Sequence, residues 1–276
     1  MMKQFLTPLT PVIPLNDFHP QSVDTILTSI NIDRLTVSKY NHWTLIKNDW
    51  YYFKELRNPN QLFNELLGEK ITTYFGLKSI HYEIASLQDP NSNETKYGLL
   101  SKNFREPQKR YYLARDLGIQ QPYTIKELND VKRYRPQLKL LIDQAKLLTI
   151  IDFYRGECDR FKYNLLIEKE QQFYELSKIH DYGCSFRPYL PTPKNDIINL
   201  LPNTPHELRI LHRDPVIQEA LDKIMTCKIE TIVDQINDQY HLNIKKSFLQ
   251  KYWEHTQHVK TTIQTKKLKK RKYNLW

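Results

Sequence analysis

Cysteine, long apolar runs and secretion signals are scarce or absent in this sequence of 276 residues. Its three cysteines, Cys158, Cys184 and Cys227, are too few for a disulfide framework, and no Cys-x-x-Cys spacing indicates a zinc site. No apolar run reaches the roughly eighteen residues of a transmembrane helix. The proline-rich start lacks the basic segment and apolar stretch of a secretory signal. These absences favour a reducing, cytoplasmic location, with a secreted effector left open.

The formal net charge of +10 is concentrated near the C-terminus. Seven basic residues lie between Lys260 and Lys272, so the rest of the chain is only mildly basic and does not indicate a nucleic-acid-binding domain. We interpret residues 266–276 as a separate basic tail. Three roles stay open for it: a solvated end, a contact to nucleic acid or an acidic partner, or a contact to an anionic membrane.

The apolar pattern divides the chain into a strand-rich part and a helical part. Residues 1–20 are punctuated by prolines and predict an extended arm. Residues 21–103 contain strand patterns on both sides of one helix pattern, which Gly76 terminates. Residues 104–265 are mainly helical in pattern, including 108–150, with a strand hairpin embedded among the helices. This order predicts an α+β fold with a small N-terminal lobe and a larger helical C-terminal lobe.

The embedded hairpin carries the most informative side chains. A turn predicted at residues 168–172 would bring Asn164 back towards Asp181, and Asp159 lies in the loop that precedes Asn164. Amide and carboxylate oxygens are ligands that Mg²⁺ accepts, while a further carboxylate could take a proton from a substrate hydroxyl. Taken one at a time, each of these residues could instead be an ordinary turn former.

Two motifs around this hairpin are similar to those of a known family. Residues 156–164, G-E-C-D-R-F-K-Y-N, resemble the G-N-x-D-R-H-x-x-N catalytic loop of HipA-like serine/threonine kinases, and residues 180–185, H-D-Y-G-C-S, resemble their Y-D-x-G-x-S metal-binding segment. The family belongs to the wider protein-kinase and phosphoinositide-kinase fold. The resemblance implies a bilobal kinase that binds ATP and Mg²⁺, with Asp159 as catalytic base and with Asn164 and Asp181 as metal ligands.

The resemblance extends upstream in chain order. The run W-Y-Y-F-K that ends at Lys54 resembles the strand whose lysine pairs with the ATP phosphates. The pair Asn64-Glu65, followed at some distance by Gly76, resembles the helix that supplies the carboxylate partner of that lysine. Glu65 is therefore the predicted partner of Lys54, although Glu69 lies one helical turn further on and could pair instead.

Nucleotide contacts are implied at two further places. No glycine-rich loop precedes the lysine strand, and Ser38 and Lys39 occupy that position, with Ser38 a candidate for autophosphorylation. Residues 97–104 resemble the strand that enters the hinge over the adenine. The hinge contacts implied by this resemblance come from Leu100, Ser101, Lys102 and Asn103.

Two positions depart from the family pattern: Phe161 stands where the family has His, and Glu157 where it has Asn. The function implied is phosphoryl transfer from ATP to serine or threonine on a protein, in a toxin of a toxin–antitoxin system or in an effector. An antitoxin or another regulatory protein is the implied partner. Two alternatives stay open: a phosphoinositide or small-molecule kinase on the same fold, and a catalytically degenerate protein that acts through partner or nucleic-acid contacts.

Overall fold

The computed structural model describes most of the chain, namely residues 13–15, 41–88, 94–106, 108–113, 136–157, 165–183, 185, 214–244 and 246–273. Four residues predicted for the site, Ser38, Lys39, Asp159 and Asn164, lie outside these ranges.

The N-terminal part contains a five-stranded sheet. Its strands are β1 (Ile13–Pro14), β2 (Asn41–Ile46), β3 (Asp49–Glu55), β4 (Glu83–Gln88) and β5 (Thr95–Lys102). They lie in the order β1-β4-β5-β3-β2, with β1 parallel to β4 and all other neighbours antiparallel. Lys47 and Asn48 close the β2–β3 hairpin with φ angles of 49° and 71°, the backbone that a two-residue turn between twisted strands requires. The strands predicted on both sides of the helix pattern are confirmed.

Helix α1 (Pro59–Tyr74) connects β3 to β4. The Asn58 side chain caps its first turn by accepting a hydrogen bond of 2.9 Å from the Gln61 N–H, and Pro59 fills the first position, where no N–H is needed. Gly76, at φ 91°, follows the end of the helix as predicted. The apolar face of α1 packs in one core with Ile84 and Leu99 of the sheet.

The C-terminal part combines a small sheet with helices. Its elements are β6 (Arg110–Leu113), α2 (Lys139–Arg155), β7 (Leu166–Glu170), β8 (Phe173–Leu176), α3 (Pro215–Thr226), α4 (Ile229–Tyr240) and α5 (Lys246–Tyr273). The three strands form an antiparallel sheet in the order β6-β7-β8. Helices α2, α3 and α4 contribute to the same apolar core as α1, so one continuous core supports both parts of the molecule.

Two local predictions in this part are wrong. Arg110–Leu113 were included in a helical pattern, yet they form strand β6, because pairing with β7 satisfies their backbone groups and Tyr111 and Tyr112 suit a pleated surface. The predicted turn at 168–172 is too long, since β7 continues to Glu170 and the chain reverses at Gln171 and Gln172. The hairpin itself is confirmed.

Helix α5 extends beyond the boundary expected for the helical lobe. It continues to Tyr273 and therefore includes most of residues 266–276, the predicted basic tail. Within the described residues, no helix combines the length and apolarity that crossing a membrane requires.

Candidate active site

Lys54 on β3 joins two carboxylates that are far apart in the chain. Its Nζ lies 2.5 Å from Oε1 of Glu65 on α1 and 2.6 Å from Oδ1 of Asp181, which follows β8. Both contacts are charge-assisted hydrogen bonds, the stronger class of hydrogen bond in proteins. The structure therefore brings together three of the predicted site residues. It also selects Glu65 over Glu69, because the Glu69 carboxylate contacts His81 instead.

The electrostatics of this cluster keep the lysine charged. Burial works against the protonated form of Lys54, but the carboxylates of Glu65 and Asp181 outweigh it and raise the lysine pKa well above its ordinary value. Glu65 is fully buried and also accepts hydrogen bonds from the Tyr82 hydroxyl, at 2.7 Å, and from the Tyr182 N–H, at 2.9 Å. Burial, followed by the charge of Glu65, raises the pKa of Tyr82, so the phenol keeps its proton and remains a donor.

Asp181 has an unusual backbone conformation. Its φ angle is 58°, in the left-handed region that Asp tolerates better than most residues. Two contacts hold this conformation. The Tyr182 N–H donates a hydrogen bond to Glu65, and the Asp181 carboxylate pairs with Lys54. The Asp181 side chain is 42% exposed, so it faces the cleft rather than the core. Backbone strain of this kind concentrates at functional sites.

Tyr182 anchors the Asp181 segment in the core. Its ring packs against helix α1 at Gly68, where an added Cβ would lie 2.3 Å from the tyrosine Cγ. The guanidinium of Arg155, at the end of α2, lies over this ring at 4.6 Å from its centroid. A cation over an aromatic face is attracted by the negative charge of the ring's face. The phenol hydroxyl contacts the Ser79 hydroxyl at 2.6 Å and donates to the Ile179 carbonyl at 2.9 Å. Gly68 is thus required by this packing.

A cleft of about 270 Å³ opens beside the Lys54 cluster. Trp43 and Tyr52 pair across β2 and β3 on its sheet side, with ring centroids 5.1 Å apart. Trp43 is 8% exposed as a whole residue, and its indole N–H has no hydrogen-bond partner among the described residues. The other residues that line the cleft are Lys54, Ile80, Tyr82, Ser101, Lys102, Asn103, Phe104, Arg105, Leu166, His180 and Asp181.

The predicted hinge residues divide between the two faces of the sheet. Ser101, Lys102 and Asn103 line the cleft as expected. The side chain of Leu100 does not, because strand alternation turns it to the opposite face, where it packs with Phe53 in a small second core. A nucleotide contact at Leu100 would therefore come from its backbone, and this contact stays a prediction.

Asn64 is a site residue that the sequence motif contained but to which no role was assigned. Its Nδ2 donates to the Gly183 carbonyl at 3.2 Å and to the Ser185 carbonyl at 2.7 Å. The Ser185 hydroxyl in turn donates to Glu157 at 2.7 Å, just after α2. Glu65 and Asn64 are consecutive residues of α1, so this helix holds the Asp181 segment at two adjacent points.

Of the two predicted metal ligands, only Asp181 is among the described residues. Asp159 and Asn164 lie outside that part of the chain, as do Ser38 and Lys39 near the predicted phosphate loop. In the described ranges, no group of three or more His, Cys, Asp and Glu side chains could hold a metal ion. One exposed carboxylate in a cleft still fits Mg²⁺, which is commonly held by one or two carboxylates together with substrate phosphates.

Comparison with known proteins shows the class of fold. No protein-family model matches the chain, and no curated protein matches it in sequence. The structure is similar to the proinflammatory kinase CtkA of Helicobacter pylori, with a TM-score of 0.50 and 16% identity over 93% of this chain and 94% of that one. It is also similar to HipA of Shewanella oneidensis MR-1, from a complex with HipB and operator DNA. That match has a TM-score of 0.50 and 9% identity, over 92% of this chain and 73% of HipA. The fold is therefore that of the HipA-like kinases.

Proposed function

We propose that this protein is an ATP- and Mg²⁺-dependent phosphotransferase, and specifically a HipA-like kinase that phosphorylates serine or threonine on a protein. The observation that carries the proposal is the position of Lys54. A buried lysine held between a helix carboxylate and an exposed cleft carboxylate is the arrangement that phosphoryl transfer uses to hold phosphates beside a metal ion.

Each residue has a defined task in this proposal. Lys54, oriented by Glu65, binds the phosphates of ATP. Asp181 and Asn164 hold Mg²⁺, which when bound neutralises phosphate charge. Asp159 orients the acceptor hydroxyl and takes its proton. The cleft beside Ser101, Lys102 and Asn103 accepts the adenine.

Fewer observations bear on the phosphate acceptor and the partner protein than on the ATP site. Autophosphorylation at Ser38 follows from the proposed phosphate loop. The HipA match comes from a complex with HipB and operator DNA, and this supports a similar role here, with an antitoxin or regulatory protein as partner and with nucleic acid contacted through the basic end of the chain. A role as a toxin or an effector, in the cytoplasm or after secretion, is part of the same proposal.

The proposal is tested by incubating purified protein with ATP and Mg²⁺ and measuring the intact mass. We expect the mass to rise by one phosphoryl group, with the modification on Ser38 in peptide maps, and we expect Asp159→Ala to abolish the gain. Unchanged mass and no transfer to protein substrates would contradict the kinase assignment.

Two further arms separate the alternatives. Transfer to phosphoinositide vesicles, with none to protein substrates, would support a lipid kinase on the same fold. A biological effect that survives Asp159→Ala would support the non-catalytic binding protein.

A further inference from the structure

Tyr252 of helix α5 contacts the helix that holds the proposed metal-binding segment. It is fully buried, and its hydroxyl donates a hydrogen bond of 2.9 Å to Oδ1 of Asn64. Its ring packs edge-on against Phe63, with centroids 4.7 Å apart, and next to Phe248 on α5 itself. Burial raises the pKa of the Tyr252 phenol, so the group stays protonated and donates throughout the physiological range.

This contact determines which way the Asn64 amide faces. A phenol O–H bonds the carbonyl oxygen of an amide and not its NH₂ group when it acts as the donor. With Oδ1 bonded to Tyr252, the NH₂ group faces the carbonyls of Gly183 and Ser185, and each of its two hydrogens has one acceptor. A rotated amide would place its oxygen against two carbonyl oxygens, which cannot donate.

The amide therefore connects α5 to the residues that follow Asp181. Gly183 and Ser185 lie two and four positions after Asp181, and Glu65 holds the intervening Tyr182 N–H from the neighbouring position of α1. The Asp181 backbone is in the left-handed region, so its conformation depends on these flanking contacts. A change in the Asn64 amide would reach Asp181 through the two to four residues that separate it from Gly183 and Ser185.

We propose that Tyr252 is a positioning residue for the metal-binding segment: through Asn64, helix α5 sets the placement of Asp181 in the cleft. The inference rests on the proposed function for its consequence in catalysis, but the mechanical link can be measured without catalysis. Helix α5 thus helps to hold the metal-binding segment in place. A partner that displaced α5 would therefore weaken metal binding.

The test compares Tyr252→Phe with a matched control, Thr256→Val. The first variant removes only the hydroxyl that bonds Asn64. The second removes another buried hydroxyl from the same helix, one that donates to the Trp253 carbonyl within α5. Hydrogen–deuterium exchange of the peptide containing residues 181–185 should accelerate about fivefold in Tyr252→Phe, the factor that corresponds to loss of one net hydrogen bond of about 1 kcal/mol. In Thr256→Val this peptide should exchange as in the wild type.

The kinetic readout separates positioning from general destabilisation. In Tyr252→Phe we expect the Mg²⁺ concentration for half-maximal phosphoryl transfer to rise about fivefold, with a similar maximal rate at saturating Mg²⁺. In an Asn64→Ala background the same substitution should add almost nothing, because its route to Asp181 has been removed.

The outcomes distinguish the two proposals. If both variants match the wild type in exchange and in Mg²⁺ requirement, the positioning role is wrong while the kinase assignment stands. If the wild type transfers no phosphoryl group, the kinase assignment fails, and the exchange experiment still decides the link between Tyr252 and the Asp181 segment.

Discussion

The ammonium group of Lys54 lies 2.6 Å from the carboxylate of Asp181, although 127 positions separate the two residues in the chain. The first residue lies on β3, an inner strand of the five-stranded sheet, and the second follows the small sheet of the C-terminal part. Their contact therefore joins the two parts of the molecule at the cleft.

Replacing Lys54 by Met should remove activity and stability together. Phosphoryl transfer should fall to background, and Glu65 should be left as a buried carboxylate without its cation, which costs about 3 kcal/mol. The double variant Lys54→Met with Glu65→Gln should recover most of the stability and none of the activity. Urea unfolding and transfer assays check both. Lys223→Met removes an ion pair with Glu219 on the helix surface and a long hydrogen bond of 3.5 Å to the Phe75 carbonyl, and this control should keep activity and lose little stability.

Asp181→Asn should lower the rate of phosphoryl transfer by at least about a hundredfold, the effect of removing one electrostatic group from a catalytic site. Asn tolerates a positive φ angle as Asp does, so the fold should be kept. Calorimetric titration with ATP should show a loss of the Mg²⁺-dependent part of the affinity. An unchanged Mg²⁺ dependence in this variant would exclude Asp181 as a metal ligand.

Gly68→Ala should destabilise the protein, whereas Gly→Ala within an ordinary helix stabilises by about 1 kcal/mol. The added Cβ would lie 2.3 Å from Cγ of Tyr182, and overpacking of this kind costs about 2 kcal/mol. The sign of the change in the free energy of unfolding, measured with denaturant, tests the packing. A stabilised variant would show that the Tyr182 ring does not lie against α1.

Trp43 should report on nucleotide binding. Because its indole lines the cleft, ATP should change the tryptophan fluorescence of the wild type, and most of that change should be absent from Trp43→Phe. Trp253→Phe removes an exposed indole on α5 and should keep the response. If the signal is lost from Trp253→Phe instead, the nucleotide binds elsewhere.

The burial of His255 should lower the free energy of unfolding in acid. Burial, aided by His258, outweighs a hydrogen bond to the Tyr154 carbonyl and lowers the His255 pKa below its ordinary value of 6.5. The unfolded chain therefore takes up a proton before the folded one does. The contribution of the buried, neutral His255 to the free energy of unfolding is complete above pH 6.5. It decreases as the pH falls from 6.5 towards the lowered pKa of His255 in the folded protein. In unfolding experiments between these limits, His255→Gln should show a weaker pH dependence than the wild type. An equal dependence would mean that other groups cause it.

The sequence was a good guide wherever a feature depends on neighbouring residues. The helix capped by Asn58 and ended near Gly76, and the hairpins on both sides of it, follow from local backbone preferences and apolar spacing. The placement of Leu100 was also within reach, because alternation along a strand points it away from Ser101.

Other features had no local signal. Strand β6 exists because β7, distant in sequence, satisfies its backbone groups. Nothing around Tyr252 distinguishes it from an ordinary apolar position of a helix, and its partner Asn64 lies 188 positions away. Such pairings depend on how helices pack, which side-chain patterns constrain only loosely.

By itself, the sequence determined most of the order of strands and helices, with β6 as an exception, since apolar spacing and turn residues act over short range. The roles expected of Lys54, Glu65 and Asp181 came from their motifs' resemblance to a known family. Only the tertiary structure decided that Glu65 rather than Glu69 binds Lys54, and that Asn64 connects α5 to the Asp181 segment. The physical reason is that buried polar groups must find partners wherever packing places them, and that requirement is satisfied in space and not along the chain.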